Sequence, residues 1–394
     1  MALIRTPTSR TLGGSASMLI GPVLALLLLV LTACGGGSGT AAAQDGEPQA
    51  SEQAGVLEQA KAALLEHAVE DPKSLTGPTQ ANSVPEVQPL ENPSDPQLPV
   101  TVTDYQGTQV TVKDTSRILA LDLYGTLAQT VIALGQQDRL VGRVTSSTQD
   151  TLADLPLVTE NGHDLNIEAI LELGPTVVLM DTTNGPIEVT EQLRAAGVTV
   201  VHFTPDRTME GIGPQIRKVA EALGVPDDGE RLAERVQGEL DDAIETIAQA
   251  APKDPEDKLS MAFLYVRGTA GVFFILGDGS GADDLITAVS GVDVASREGI
   301  DGIVPATSEA LVKLNPDLIL AMNKGIESTG GIEGLLARPG VGETTAGQHR
   351  RIVSMDDGQI LSFGPNAPAV LLALAQAIYA PDSLADQPQE GEGS

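Results

Sequence analysis

Three side chains stand out for the chemistry they could do. His163 follows Asn161-Gly162 in a turn, directly before a helix that carries Glu168. A neutral imidazole nitrogen ligates metal, although a histidine beside Asn-Gly is, taken alone, more often an exposed turn residue. Tyr265 ends a predicted strand and Arg267 lies two residues on, so both side chains share one face. A phenolate is a hard anionic donor that suits ferric iron, and a nearby guanidinium favours that ionised form. The alternative is an amphipathic strand end beside a surface charge. Of the other histidines, His67 falls in a linker-like segment, His202 closes a predicted strand, and His349 sits in a basic loop beside Arg350 and Arg351.

Other chemistries are poorly supplied. Cys34 is the only cysteine, so no disulfide, cysteine zinc site, iron–sulfur cluster or cysteine nucleophile can form in the folded part. No Gly-x-Ser-x-Gly elbow, phosphate-binding Gly-rich loop or His-Glu-x-x-His motif is present. The expectation is a binding protein, not an enzyme. Formal net charge is −31 at pH 7, which disfavours nucleic acid, since phosphate binding needs clustered Lys and Arg.

The elements that must position these residues begin with an export pattern. Arg5 and Arg10 precede an apolar run over 18–31 that ends Leu31-Thr32-Ala33-Cys34. That run is shorter than the ~20 apolar residues of a membrane span and has the length of a signal-peptide core. The tetrapeptide resembles the lipobox of bacterial lipoproteins, which implies diacylation of Cys34 and a membrane anchor. The chain then divides into a signal peptide over 1–33, lipidated Cys34 with a flexible tether over 34–98, and an N-terminal α/β lobe over 99–206. A helical connection with an interlobe helix follows over 207–258, then a C-terminal α/β lobe over 259–381 and a polar tail over 382–394. The tether assignment rests on a composition rich in Ala, Gln, Glu, Pro and Ser with little apolar surface.

Within the lobes, 100–112 alternates like a hairpin with Gln106-Gly107 near its turn. Strands are predicted over 118–123, 141–144, 176–180, 198–203 and 260–266, separated by helical segments, which argues for βα units and a mostly parallel sheet. Residues 166–180 (NIEAILELGPTVVLM) align without gaps to 307–321 (TSEALVKLNPDLILA), so Glu168 matches Glu309 and Pro175 matches Pro316. In both copies a short helix begins near Glu, ends before Pro and leads into a buried strand.

On these features the chain resembles the substrate-binding proteins of iron-chelate, cobalamin and haem ABC importers over about residues 98–380. The stretches ILALDLYGT (118–126), VTENGHDLNIEAI (158–170), FLYVRGTAGVFFILG (263–277), GSGADDL (279–285) and LSFGP (361–365) resemble the haem-binding lipoproteins of actinobacterial haem importers. The resemblance implies an α/β fold of two lobes joined by a long rigid helix, with the ligand cleft between the lobes. It further implies His163 and Tyr265 as axial ligands of haem iron, with Arg267 orienting the tyrosine and favouring its phenolate. Glu168 and Glu309 become docking residues for the arginines of a permease dimer with its ATPase. Phe273 and Phe274 are candidates to flank the porphyrin. Tyr124, the hydroxyls of Thr145, Ser146 and Ser147, and backbone N–H groups near Gly279 are candidates for the propionates. The other partners implied are haem-carrying proteins and, through the lipid anchor, the membrane. Two alternatives stay open: a ferric siderophore or cobalamin carrier of the same fold, and a surface haem receptor or relay uncoupled from a permease.

Overall fold

The computed structural model describes residues 49–160 and 163–384. The proposed signal peptide, Cys34, the glycine-rich stretch after it and the tail beyond 384 lie outside the described residues. Among the described residues, no helix is long and apolar enough to cross a membrane.

The segment read as tether is instead largely built into the fold. Helix α1 (Gln49–His67) packs on the C-terminal side of the molecule, burying Leu57 and Leu64. These side chains lie seven residues apart, two helical turns, so a sparse apolar stripe suffices to dock the helix. A two-residue strand β1 (Thr79–Gln80) then extends the C-terminal sheet, and Val84, Val87 and Leu90 bury as the chain runs toward the N-terminal lobe. There the Leu90 N–H donates to the Ala133 carbonyl, and the Gln97 N–H to that of Gly224. The stretch from Gln49 to Leu98 is thus a strap crossing from one lobe to the other, where the composition suggests a flexible tether.

Strands β2 (Val100–Thr103) and β3 (Gln109–Val112) form the expected hairpin. The N-terminal lobe is then organised on a parallel sheet in the order β4 (Ile118–Leu121), β7 (Val177–Met180), β8 (Thr199–His202). Between them lie α2 (Thr126–Ala133), the small antiparallel pair β5 (Thr159–Glu160) and β6 (Asp164–Leu165), α3 (Ile167–Glu172) and α4 (Ile187–Ala195). The predicted strand at 141–144 is not one. It makes isolated contacts to Ile118 and Leu157 at the sheet edge but no continuous ladder.

Helices α5 (Ile212–Leu223) and α6 (Pro226–Ala250) connect the lobes. Gly224 ends α5 in the left-handed conformation and Pro226 opens α6 at its first turn, an arrangement that supplies both a stop and a start. The 25 residues of α6 span about 37 Å at 1.5 Å per residue. Leu232, Val236, Leu240, Ala243 and Ile247 form its buried stripe.

The C-terminal lobe contains β9 (Ser260–Arg267), β10 (Val272–Leu276), α7 (Ala282–Ala288), β11 (Val292–Asp293), α8 (Val294–Arg297), β12 (Ile303–Pro305), α9 (Ser308–Leu314) and β13 (Leu318–Met322). Three short helices, α10 (Asn323–Ser328), α11 (Gly331–Leu336) and α12 (Thr345–His349), precede β14 (Ile352–Met355) and α13 (Ala367–Tyr379). Its sheet order is β1-β14-β13-β9-β10-β12, with β11 also on β9. Only the β10 pairings are antiparallel. The architecture is therefore two α/β lobes joined by a long helix. Arg351 locks the strap to this lobe: it is 2% exposed, donates to the Thr79 hydroxyl, and caps the end of α13 at the Ala377 and Ile378 carbonyls. Helix-end carbonyls are its compensation for burial, and the desolvation still lowers its pKa to about 10.

Candidate functional site

The C-terminal ends of β4 and β7 each carry an acid, Asp122 and Asp181. Leu121 pairs with Met180 in the sheet, so the two carboxyls that follow are neighbours. Asp122 accepts the N–H groups of Tyr124, Thr126 and Leu127 and so caps the start of α2. Asp181 accepts from the Thr183 N–H and hydroxyl and pairs with Arg207 at 3.4 Å. Both acids are almost fully buried. Burial and the neighbouring Asp181 charge push Asp122 up to about 6, against the opposing pull of Arg207. Burial likewise raises Asp181.

The Arg207 guanidinium carbon lies 3.5 Å from the centroid of the Tyr124 ring, which it covers as a cation–π partner. Burial raises the Tyr124 pKa, so its hydroxyl remains a neutral donor. Gly281 stands against this cluster. With φ of 90°, a Cβ there would come within 3.1 Å of the Arg207 Cβ and 3.2 Å of the Phe363 ring, so the α7 loop approaches only because glycine occupies the position. Asp122, Asp181, Arg207, Thr126 and Phe363 line a small recess with room for little more than a water molecule. His163 and Tyr265 are not among its lining residues.

Those two residues come from opposite lobes. His163 precedes β6 in the N-terminal lobe and Tyr265 lies near the end of β9 in the C-terminal lobe. Burial first, and then the positive charge of Arg267, push His163 below the usual imidazole range. The imidazole thus feels a guanidinium of the other lobe and is held neutral, the ligating form. Its Nδ1 is buried with no hydrogen-bond partner among the described residues, an unmet polar atom that a ligand could satisfy.

On β9, Tyr265 stands directly opposite Phe274 of β10, so the two share one face. Arg267 is on that face too, its guanidinium carbon 4.8 Å from the Tyr265 ring centroid. It donates to Asp357 at 2.6 Å and touches the Met322 sulfur at 3.5 Å. Asp357 also accepts the Lys324 N–H, and burial raises its pKa. Asp357 went unnoticed in the sequence; the signal was an Asp-Asp pair immediately after the apolar strand β14. Phe273 points to the other face, under Arg338 at 4.9 Å, and packs in a separate core cluster with Leu264 and Val266. Of the two candidate flanking rings, only Phe274 faces with Tyr265.

Several proposed propionate donors are already engaged. Thr145 shares a hydrogen bond with the Thr159 hydroxyl, Ser146 donates to the Asp122 carbonyl, and the Gly279 N–H is taken by Asp283. The Ser147 hydroxyl is buried. Of the remaining histidines, His202 is buried in β8 with Nε2 2.8 Å from the Thr190 hydroxyl, while His67 and His349 lie in the last turns of α1 and α12. Glu168 and Glu309 are exposed at equivalent positions in the first turns of α3 and α9.

The periplasmic binding protein family model matches residues 122–358, more than half of the chain. The chain is 47% identical to the heme-binding protein HmuT, covering 78% of this chain and 99% of that one with a TM-score of 0.76. HmuT has also been solved as alanine variants at a histidine, at a tyrosine, and at an arginine two positions beyond that tyrosine. The periplasmic heme-binding protein RhuT from Roseiflexus sp. RS-1, in its apo form, is 35% identical over 68% of this chain and 99% of that one, with a TM-score of 0.62. Among curated proteins, the ABC transporter substrate-binding lipoprotein YvrC of Bacillus subtilis strain 168 is 26% identical over 73% of this chain and 87% of its own length. From its two-lobed architecture to this sequence match, the chain belongs to the periplasmic binding protein family.

Proposed function

We propose that this protein is the extracytoplasmic substrate-binding component of an ABC importer, that its cargo is haem, and that His163 and Tyr265 supply the two axial ligands. The observation that carries this reading is the part-buried His163 of one lobe, its Nδ1 without a hydrogen-bond partner among the described residues, within electrostatic reach of Arg267 of the other lobe, beside which the Tyr265 ring stands. The two-residue spacing of tyrosine and arginine matches that of the residues varied in HmuT. One ligand from each lobe would couple cargo capture to the closed arrangement of the lobes, giving the membrane partner a shape to recognise. Arg267 would orient the Tyr265 ring, 4.8 Å from its guanidinium, while Asp357 holds the guanidinium in place. Phe274 would supply apolar contact to the porphyrin, and Tyr124 a neutral hydroxyl donor. Cys34 would anchor the protein by lipid, and Glu168 and Glu309 would meet arginines of the permease. Titration with hemin, followed by its Soret absorbance, tests the reading. Wild-type protein should bind near stoichiometrically, and His163→Ala and Tyr265→Ala should each shift the band and weaken binding. Identical spectra and affinities in all three proteins would refute the ligand assignment.

A further inference from the structure

Among the exposed large apolar side chains of the described residues are Leu171 and Val312, at 39% and 47% exposure. They occupy matching positions of the internal repeat, three residues after Glu168 and Glu309. Residues three apart on a helix stand on the same side, so each lobe presents one carboxylate beside one aliphatic knob. The local construction is the same in both copies. Asn166 caps α3 by accepting the Ala169 N–H at 2.9 Å, and Thr307 caps α9 by accepting the Ala310 N–H at 3.2 Å. The core-facing residue between the pair, Ile170 or Leu311, is fully buried in each case.

Neither glutamate has an ion-pair partner among the described residues, although α9 offers one. Lys313 is four residues after Glu309, a favourable pairing distance on a helix, yet it pairs with Glu298 at 3.0 Å. The carboxylates are thus left open to an external cation, and the aliphatic side chains beside them are left in water.

We propose that the docking element on each lobe is a two-residue unit, Glu168 with Leu171 and Glu309 with Val312, made for a membrane partner whose two-fold-related sockets each place a cation beside an apolar floor. This rests on the permease-docking reading above. Two repeat-equivalent units on an otherwise unsymmetrical molecule fit a partner that repeats its own surface. The carboxylates steer and orient, and the aliphatic side chains add contact area that excludes water from the ion pairs.

The test uses cells of the source organism in which the only copy of the gene is the wild type or a variant, with hemin uptake and in vitro hemin affinity measured for each. Leu171→Ser with Val312→Ser should lower uptake about tenfold with hemin affinity unchanged. Ile187→Ser, an exposed aliphatic outside the repeat, should leave uptake at the wild-type level. Full uptake in the Leu171/Val312 double variant, alongside lost uptake in Glu168→Ala with Glu309→Ala, overturns the two-residue unit and leaves docking by glutamate standing. Full uptake in both double variants overturns the docking reading itself. An equal loss in Ile187→Ser, or weakened hemin binding in the Leu171/Val312 variant, also overturns the unit.

Discussion

Each lobe sets a guanidinium against a tyrosine ring, but the two pairs are built for different work. In the N-terminal lobe, Arg207 lies 3.5 Å over Tyr124 and balances two buried acids, Asp122 and Asp181. In the C-terminal lobe, Arg267 stands 4.8 Å from Tyr265, pairs with the single acid Asp357, and keeps 28% of its side chain exposed. The ends of the two strands that lead into them explain why they diverge. Strand β4 ends at Leu121, so its acid turns inward to cap α2 and Tyr124 falls in the following loop. Strand β9 continues through Arg267 with β10 beside it, so Tyr265 remains on a sheet face with Phe274 opposite. The first pair is a buried brace; the second is an open face suited to a ligand.

The largest expected effect sharpens that contrast. Arg207→Ala leaves two neighbouring buried carboxyls without their cation and should destabilise the protein by roughly 3–5 kcal/mol. Arg267→Ala strips the part-buried Asp357 of one partner but leaves it the Lys324 N–H, so it should cost less, about 1–2 kcal/mol, and act mainly on hemin affinity. Chemical unfolding of the two variants side by side measures this, and equal losses would erase the distinction. Next in size are the paired rings. Phe274→Ala should weaken hemin binding about tenfold, on the basis of some 1.5 kcal/mol or more for a buried aromatic contact. Phe273→Ala should lower stability and leave affinity unchanged.

Acidity probes the interlobe face. His163 titrates below its ordinary value because burial and Arg267 disfavour the imidazolium. Ligation needs the neutral ring, so hemin affinity should hold as pH falls to about 6.5 and decline only below it. A decline that begins well above that pH would show that His163 is not held neutral. The smallest expected effect is Tyr124→Phe, which keeps the stack under Arg207 and removes one hydroxyl. It should change hemin affinity by no more than about threefold, near 0.6 kcal/mol, as for one neutral hydrogen bond.

Much of this arrangement was legible in the sequence where local pattern and tertiary role agree. The hairpin at 100–112, the helix–Pro–strand modules at 166–180 and 307–321, and the i, i+2 geometry of Tyr265 and Arg267 all follow from short-range periodicity. The strap did not, because Leu57, Leu64, Val84, Val87 and Leu90 are too sparse to register as an apolar pattern and acquire meaning only against the two lobes they bridge. Asp122, Asp181 and Arg207 are separated along the chain and meet only because β4 and β7 are adjacent and parallel. An acid immediately after each of two apolar strands was the available signal. The partner of Arg267 was hidden for the same reason, since Asp357 follows β14 and reaches Arg267 through the order of the sheet.

The central claim is that iron is held between an imidazole of one lobe and a phenolate of the other. Resonance Raman spectra of the ferric hemin complex, compared for wild type, Tyr265→Phe and His163→Ala, address it most directly. The wild type should show an iron–phenolate stretch that disappears in Tyr265→Phe and persists, with altered coordination number, in His163→Ala. An unchanged spectrum in Tyr265→Phe would contradict the claim.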